Sequence, residues 1–448
     1  MKTTRLALVP NAAQFGAMKR LLTVIAAIGL MGSQRDQIPL VEIAYVRAGH
    51  LIEPCSGQVL EDQLISIENG RVARIQPWRS GKQVAKVFYV NDWSNNWVLP
   101  GLIDAHVHLA DYLQSSDPAE PLKHSAEATA YQGARNARAT LWAGFTTVHD
   151  VGSYRATGNI ELRDAINRRD IIGPRINAVG GYITIPGGGG EVTGLPNGMV
   201  VPPEMRLGVA SSPAEVTAKV NRMLDLGANS IKLIATGAVL TEGTEPGQVE
   251  LSGPMIAAAV AAAKARGSWV TSHAHGAAGI KLAIENGSRG IEHASLIDDE
   301  GIALAKAHGT YLVMDIYNGD YIDQVGRQQG WSAAILRKNF ETTDEQRQGF
   351  TKAVRAGVKV VFGTDAGVFP HGQNALQFPY MVKYGMTPMQ AIQSATCVAA
   401  EFIGWSKDVG SLTPGHYADM IALNSNPLAD VSALERVEHV IKGGIVVR

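Results

Sequence analysis

Short β-rich runs occur at both ends of the chain. Near the N-terminus they cover 41–46, 64–75 and 86–90, and Glu68-Asn69-Gly70 is typical of a hairpin turn. Similar runs return at 418–423 and 437–447. Because chain ends often lie close together, the two sets predict one small β-sandwich domain formed by 38–99 plus 410–448.

Between these ends, apolar β runs alternate with Ala-rich helical stretches. Eight such runs end near His108, His149, Gly180, Ala235, His273, His293, Asp315 and Asp365. Repeated β-then-α units predict an α/β fold, a (β/α)8 TIM-like barrel over 100–409. The Gly- and Pro-rich segment 183–210 shows neither the strand nor the helix periodicity of apolar residues, which predicts a long loop over the barrel mouth.

Composition supports a large globular protein. The chain has 448 residues, of which 46% are hydrophobic and 18% charged, so a large core is available. The formal net charge of −1 gives no reason to expect a nucleic-acid partner.

The N-terminal segment 1–37 has the pattern of a signal peptide. Met18-Lys19-Arg20 precedes an apolar run over 21–31, which is too short to span a bilayer comfortably. We therefore expect a periplasmic or secreted protein without a membrane span, with Met18 as a candidate start. A cytoplasmic protein with a short N-terminal helix is the alternative.

The two cysteines, Cys55 and Cys397, match no metal-binding or redox spacing. We interpret them as free thiols that act as small apolar residues.

Metal-ligand residue types accumulate at the predicted strand ends, which line the active-site mouth of a barrel. His106 and His108 are two apart on one strand, so both rings point to the same face. The other strand-end candidates are Lys232, His273, His293 and Asp365. Nitrogen and oxygen donors without sulfur suit zinc, with manganese, nickel or cobalt as alternatives.

Several motifs resemble the amidohydrolase superfamily from about residue 40 to the C-terminus. They are Gly-Phe-Thr-Thr-Val-His-Asp-Val-Gly at 144–152, Ile-Lys-Leu-Ile-Ala-Thr-Gly at 231–237, Ser-His-Ala-His-Gly at 272–276, Ile-Glu-His-Ala-Ser at 291–295 and Gly-Thr-Asp-Ala-Gly-Val-Phe-Pro-His-Gly at 363–372. Within the superfamily, the chain resembles the branch of Xaa-Pro/Xaa-Arg dipeptidases and ochratoxin-hydrolysing amidohydrolases. Relatives in that branch often carry Arg where His149 stands here.

The resemblance implies two divalent metal ions bridged by an N6-carboxylated lysine, Lys232. His106, His108 and Asp365 would hold one ion, and His273 and His293 the other. His275 competes with His273 as ligand, and the family pattern favours His273.

Two cations ~3.5–4 Å apart would make hydroxide available near neutral pH. Asp365 would act as the catalytic residue that accepts the proton and passes it to the leaving nitrogen. His275, His149 and His371 are the candidate substrate-binding residues. Tyr154, Tyr182 and Tyr317 follow barrel strands; any one of them could line the pocket, and packing is the favoured interpretation.

The leading hypothesis is hydrolysis of an amide bond in dipeptides or N-acyl amino acids with a free carboxylate, including ochratoxin-type amides. The alternative is a cyclic-amide hydrolase of the imidazolonepropionase type; such relatives usually use one metal and lack the lysine. A non-enzymatic alternative is a scaffold protein that keeps the fold without catalysis. Such relatives typically lose metal ligands, whereas all six ligand positions are filled here. The resemblance also implies a homo-oligomer, often an octamer.

Overall fold

A computed structural model describes residues 44–79 and 90–448. The predicted signal segment 1–37, the first part of the run at 41–46 and nearly all of the run at 86–90 lie outside the described residues. The strands, in chain order, are β1 (Tyr45–Glu53), β2 (Gln58–Glu68), β3 (Arg71–Pro77), β4 (Asn91–Pro100), β5 (Leu102–Val107), β6 (Phe145–Asp150), β7 (Arg175–Ala178), β8 (Tyr182–Ile183), β9 (Ile231–Ile234), β10 (Val270–Gly276), β11 (Gly290–Leu296), β12 (Tyr311–Met314), β13 (Val360–Phe362), β14 (Met420–Leu423), β15 (Val437–Lys442) and β16 (Ile445–Val446).

Helices fill the connections between the barrel strands. In chain order they are α1 (Ala126–Trp142), α2 (Gly158–Asn167), α3 (Pro213–Asp225), α4 (Gly253–Ala265), α5 (Ala277–Glu285), α6 (Asp299–His308), α7 (Asn318–Gln329), α8 (Ala333–Ala356), α9 (Gln377–Lys383), α10 (Pro388–Ser394) and α11 (Cys397–Phe402). Short 3-10 turns lie at Glu120–Leu122, Pro203–Met205, Asn374–Leu376 and Val431–Glu435. Within 44–79 and 90–448, no helix is long and apolar enough to cross a membrane.

Both chain ends contribute to one seven-stranded sheet, in the order β16-β15-β14-β4-β1-β2-β3. The predicted hairpin turn is confirmed, since Glu68 pairs with Arg71 and both turn residues, Asn69 and Gly70, have positive φ. The sheet has a core of its own, to which strands from both ends contribute. This sheet is the terminal β domain that the sequence predicts.

Eight parallel strand positions form the barrel. The first two are β5 and β6, the third is broken into β7, which pairs with β6, and β8, which pairs with β9. Strands β9 to β13 follow in chain order. A parallel bridge between Val107 and Ala366 joins the first position to the eighth. The barrel fold is confirmed, and its strand ends fall close to the predicted residues.

The two cysteines are paired, contrary to the prediction of free thiols. Cys55 follows β1 and Cys397 opens α11, with their Cα atoms 5.7 Å apart. Spacing rules consider cysteines close in sequence, whereas 342 residues separate these two and only the fold brings them together. The disulfide ties the terminal β domain to the barrel.

Candidate metal centre and active site

The carboxyl ends of the barrel strands surround one pocket that encloses about 820 Å³, including its open mouth. All six predicted metal ligands line it: His106, His108, Lys232, His273, His293 and Asp365. Residues Gly189 and Gly190, from the predicted mouth loop, also line it. This is the expected position for the active site of a barrel enzyme.

The rings of His106 and His108 are oriented by partners on one ring nitrogen. The Nδ1 of His106 donates to Glu292 Oε2 at 2.8 Å, and the Nδ1 of His108 donates to the Gly152 carbonyl at 2.8 Å. With Nδ1 donating in each ring, Nε2 is the nitrogen whose lone pair becomes available when the ring is neutral. Those Nε2 atoms lie 3.4 and 3.3 Å from Asp365 Oδ1, so three donor atoms converge.

Glu292 is a buried carboxylate that the sequence analysis did not select. Burial would raise its pKa, but the charges of Lys232 and His106 lower it to about 2. Thr271 donates to its other oxygen at 2.6 Å. Glu292 is therefore ionised and fixed, and it holds His106 in one tautomer.

Asp365 has an unusual backbone and a second partner. Its φ is +59°, a left-handed conformation that non-glycine residues rarely adopt. While Oδ1 faces the two histidines, Oδ2 accepts a hydrogen bond from the Asn318 amide at 3.3 Å. The two oxygens of this carboxylate thus face different groups.

A second cluster contains His273, His275 and His293, whose ligand atoms lie within 4.8 Å of one another. The Nε2 of His273 lies 3.3 Å from the Gly237 carbonyl, which leaves its Nδ1 free. The Nδ1 of His275 lies 2.8 Å from Ser295 Oγ. Both histidines therefore have a nitrogen that a ligand or a metal could use.

His293 is held by Asp315, to which its Nδ1 donates at 3.0 Å. Asp315 also accepts from the amides of Asn318, at 2.6 Å, and Gln346, at 2.8 Å. The φ of His293 is +68°. Backbone conformations of this kind persist only where the surrounding contacts enforce them, and they concentrate at functional sites.

Lys232 lies on β9 and is 2% exposed. Burial lowers its pKa from the ordinary value of 10.5, and the charge of Glu292 is the largest opposing effect. Burial thereby favours the neutral amine.

The donor set fits two divalent ions of the zinc type. Imidazole nitrogens and carboxylate oxygens form one three-residue group around Asp365 and another around His293. Metal binding needs neutral imidazoles and ionised carboxylates. Burial and the charge of Lys232 oppose a proton on His106, but Glu292 and Asp365 outweigh them and raise its pKa to about 9. An ion at this site would therefore displace that proton. The role of each residue as a ligand stays a prediction.

The amidohydrolase family model matches residues 97–447, most of the chain. The chain belongs to the amidohydrolase family. A Xaa-Pro dipeptidase with methionine bound in its active site is 37% identical, with a TM-score of 0.83 over 90% of this chain and 98% of that chain. A prolidase complexed with N-methylphosphonate-L-proline is 26% identical, with a TM-score of 0.82 over 91% of this chain and 99% of that chain.

The ochratoxinase of Aspergillus niger is 29% identical over 434 residues, which is 90% of this chain and 86% of that protein. These relatives place the chain in the amidohydrolase branch that its motifs predict.

The predicted substrate residues have different positions in this amidohydrolase. His275 lines the pocket. His149 is fully buried in the barrel interior, where its ring nitrogens lie 3.2 Å from the Ala105 carbonyl and 3.0 Å from Ser230 Oγ. Burial lowers the pKa of His149 to about 3. The structure does not bring His149 into the pocket lining.

His371 also lies behind the pocket lining. Its Nε2 donates to the His108 carbonyl at 3.1 Å, and its Nδ1 lies 3.0 Å from Thr140 Oγ1. Its contacts are those of a residue that supports His108. Tyr154 and Tyr182 line the pocket, which is the alternative that the sequence analysis left open for them.

Sequence reasoning missed Glu292, Asp315, Asn318 and Gln346. Asp315 had a visible signal, because it ends the seventh predicted β run as Asp365 ends the eighth. Glu292 directly precedes a predicted ligand, but no spacing rule assigns it to His106.

Proposed function

We propose that this amidohydrolase cleaves the amide bond of dipeptides or N-acyl amino acids with a free carboxylate, including ochratoxin-type amides, with two divalent metal ions, preferably zinc. The observation that supports this most is the presence of two donor groups, around Asp365 and around His293, lining one pocket with a buried lysine. Relatives active on dipeptides and on ochratoxin support the same chemical class.

His106, His108 and Asp365 would hold one ion, and His273 and His293 the other. When bound, such ions supply Lewis-acid activation of water and of the substrate carbonyl. Lys232 would bridge them as a carbamate, formed when its neutral amine adds carbon dioxide and releases one proton. The low exposure of Lys232 supports this, because burial favours the amine that can react.

Asp365 would move the proton of the reaction. It accepts a proton from the attacking water and delivers it to the leaving amide nitrogen, which departs as an amine. Asn318, on Oδ2, holds the carboxylate while Oδ1 faces the histidines. With Ser295 Oγ donating to its Nδ1 at 2.8 Å, His275 would carry its proton on Nε2 and donate it to the substrate carbonyl or carboxylate.

A substrate screen tests this function. The protein is loaded with Zn²⁺ in bicarbonate and assayed against N-acyl amino acids, dipeptides and their C-terminal amides. We expect turnover confined to substrates with a free carboxylate, and we expect Asp365→Asn to keep the fold and most of the metal while losing turnover. Equal activity on the C-terminal amides, or wild-type kcat in Asp365→Asn, would contradict the proposal.

A metal count separates this function from the cyclic-amide alternative. Elemental analysis should find two tightly held ions per chain, whereas an enzyme of the imidazolonepropionase type needs one. Chelation that left every activity and the melting temperature unchanged would favour a scaffold instead.

We further propose export to the periplasm or the medium, and assembly as a homo-oligomer with the octamer as the form that the family resemblance implies. The Cys55–Cys397 disulfide supports export, because disulfides persist in oxidising compartments. Fractionation of the native host tests localisation, and light scattering tests assembly. A reduced cytoplasmic protein, or a monomer, would contradict the respective proposal.

A further inference from the structure

One side of the pocket is apolar. Four side chains from four separate segments line it: Leu113, Leu240, Ile322 and Val368. We call these residues the apolar wall. They pack as one group, with the buried Trp331 and Ile335 behind them. A wall of this kind favours burial of an apolar group by about 25 cal/mol for each Å² removed from water.

The apolar wall borders the reacting groups. The backbone nitrogen of Val368 donates to the Asp365 carbonyl at 3.1 Å, so Val368 lies in the turn that follows this residue. On α7, Ile322 follows Asn318 by one helical turn and lies on the same face, and the Asn318 amide contacts Asp365. A substrate group next to the scissile amide would therefore reach the wall.

Charged groups in the described lining have partners of their own. Asp315 accepts hydrogen bonds on both oxygens, from His293, Asn318 and Gln346. Among the described lining residues there is no arginine, and the remaining charged side chains, Lys232 and Asp365, belong to the predicted metal centre. The adjoining recess shares Leu113 and Leu240 with the wall. It contains Glu191 and Glu242, but these carboxylates already contact Arg206 and Ser332, respectively. A cationic side chain placed against the wall would therefore meet no unpartnered carboxylate, and its burial is costly.

The apolar wall is formed before any substrate binds. The loop that carries Leu240 is held by the buried Lys338, whose Nζ donates to the carbonyls of Ala238 at 3.0 Å, Thr241 at 2.7 Å and Thr244 at 3.1 Å. A wall fixed in this way loses little conformational freedom when it receives a ligand.

We propose that the apolar wall is the side-chain subsite of this amidohydrolase and selects substrates with an aliphatic or aromatic side chain over those with a cationic one. The inference rests on the proposed amide hydrolysis and narrows it. It predicts that substrates with an arginine or lysine side chain are poor ones for this chain.

The test compares N-acetyl derivatives of Leu, Met and Phe with those of Arg and Lys, using the zinc-loaded full chain in bicarbonate. We expect kcat/KM for the apolar substrates to exceed that for the cationic ones by about 10- to 100-fold, as differences in a hydrophobic pocket allow. Calorimetric titration with free L-leucine and L-arginine gives a second readout that does not need turnover, and L-leucine should bind more tightly.

Leu240→Asp adds a carboxylate to the apolar wall and should lower the Leu-to-Arg ratio of kcat/KM at least about tenfold, because it removes apolar contact and supplies a counter-charge. Leu240→Asn, of matched size, loses the contact without the charge and should lower the ratio less. Val200→Asp adds the same charge at a position 81% exposed and outside the pocket lining, and should leave the ratio unchanged.

The outcomes separate the two proposals. Hydrolysis that favours the arginine substrate, or a ratio that Leu240→Asp leaves unchanged, overturns the side-chain subsite while the proposed function stands. No hydrolysis of any substrate, together with L-leucine binding that Leu240→Asp abolishes, supports the subsite and overturns the proposed function. Equal binding of leucine and arginine without hydrolysis overturns both.

Discussion

The barrel contains two groups of buried histidines that the sequence does not distinguish. In the pocket, rings such as His106 and His108 have one nitrogen fixed by a protein acceptor and the other directed towards Asp365. In the barrel interior, both nitrogens of His149 contact protein groups, and the ring packs beside Trp269 and Phe402. His371 resembles His149, because both of its nitrogens have protein partners.

Burial alone therefore does not identify a ligand. His106 is 1% exposed and His149 is 0% exposed, so their accessibility is almost the same. The difference lies in the partner of each ring nitrogen, since a metal needs a lone pair that no hydrogen bond uses. His149, which ends the second predicted strand as His108 ends the first, has no such lone pair directed into the pocket.

Replacing one histidine of each group should give the largest contrast. We expect His106→Asn to lose at least one of the two proposed metal ions and to lower kcat more than the ~10–100-fold typical of losing an outer-sphere partner. His149→Asn should keep both ions, because its ring contacts Ala105 and Ser230 rather than the donor groups. Metal content and kcat check the pair, and loss of metal in His149→Asn with an intact fold would contradict the distinction.

Replacing the residue that fixes a ring nitrogen should weaken metal binding nearly as much as replacing the histidine itself. Glu292→Gln replaces an ionised acceptor of His106 with a neutral amide and should weaken metal affinity by about 10–100-fold. Competition with a chelator measures this. Glu53→Gln, at a partly buried carboxylate of the terminal β domain that contacts Ser411, is the matched control and should keep wild-type affinity. An equal loss in both variants would indicate a general effect on stability instead.

The sequence predicted the barrel, its eight strand ends and six side chains that meet in the pocket, because apolar periodicity and strand-end position follow from backbone geometry. It did not predict the direction of each side chain. His149 and Asp150 are the last two residues of one strand, and the direction in which each side chain points depends on strand twist and local φ.

The sequence also did not predict contacts between segments that lie far apart along the chain. Asn318 reaches Asp365 from a helix, and Cys55 reaches Cys397 across 342 residues. Such pairs carry no local pattern, since the fold alone brings them together. The motifs identified the family and predicted its metal ligands, but the contacts that orient the rings became visible only in the structure.

A pH series should show that His149 stays neutral in the folded protein. Its folded pKa of about 3 lies below the ordinary 6.5, so below pH 6.5 the unfolded chain binds a proton that the folded chain does not. The stability that neutral His149 contributes is therefore full above pH 6.5 and is lost as the pH falls towards 3, by about 1.4 kcal/mol per pH unit. Urea unfolding between pH 7 and 5 measures how the free energy of unfolding changes with pH. His149→Gln should reduce that slope towards the lower pH values by up to about 1.4 kcal/mol per pH unit, the contribution of one proton. An unchanged slope would mean that the folded protein accepts the proton.

The smallest effect is expected at Asn318, which positions a carboxylate rather than a ring. Its amide lies 2.6 Å from Asp315 Oδ2 and 3.3 Å from Asp365 Oδ2, so it links the acceptor of His293 to the residue proposed to carry the proton. One such hydrogen bond contributes about 0.5–1.5 kcal/mol, and Asn318→Ala should lower kcat about two- to tenfold while both ions stay bound.

Losing a donor also destabilises the charged form of Asp365, so the acidic limb of the kcat profile should move to higher pH. Asn136→Ala is the matched control, because it removes a buried amide that donates to the Leu109 carbonyl, and it should leave that limb in place. In the contrary outcome, kcat of Asn318→Ala falls while the acidic limb of its pH profile stays at the wild-type position. Asn318 would then act on substrate binding or packing, and its contacts with Asp315 and Asp365 would have no role in proton transfer.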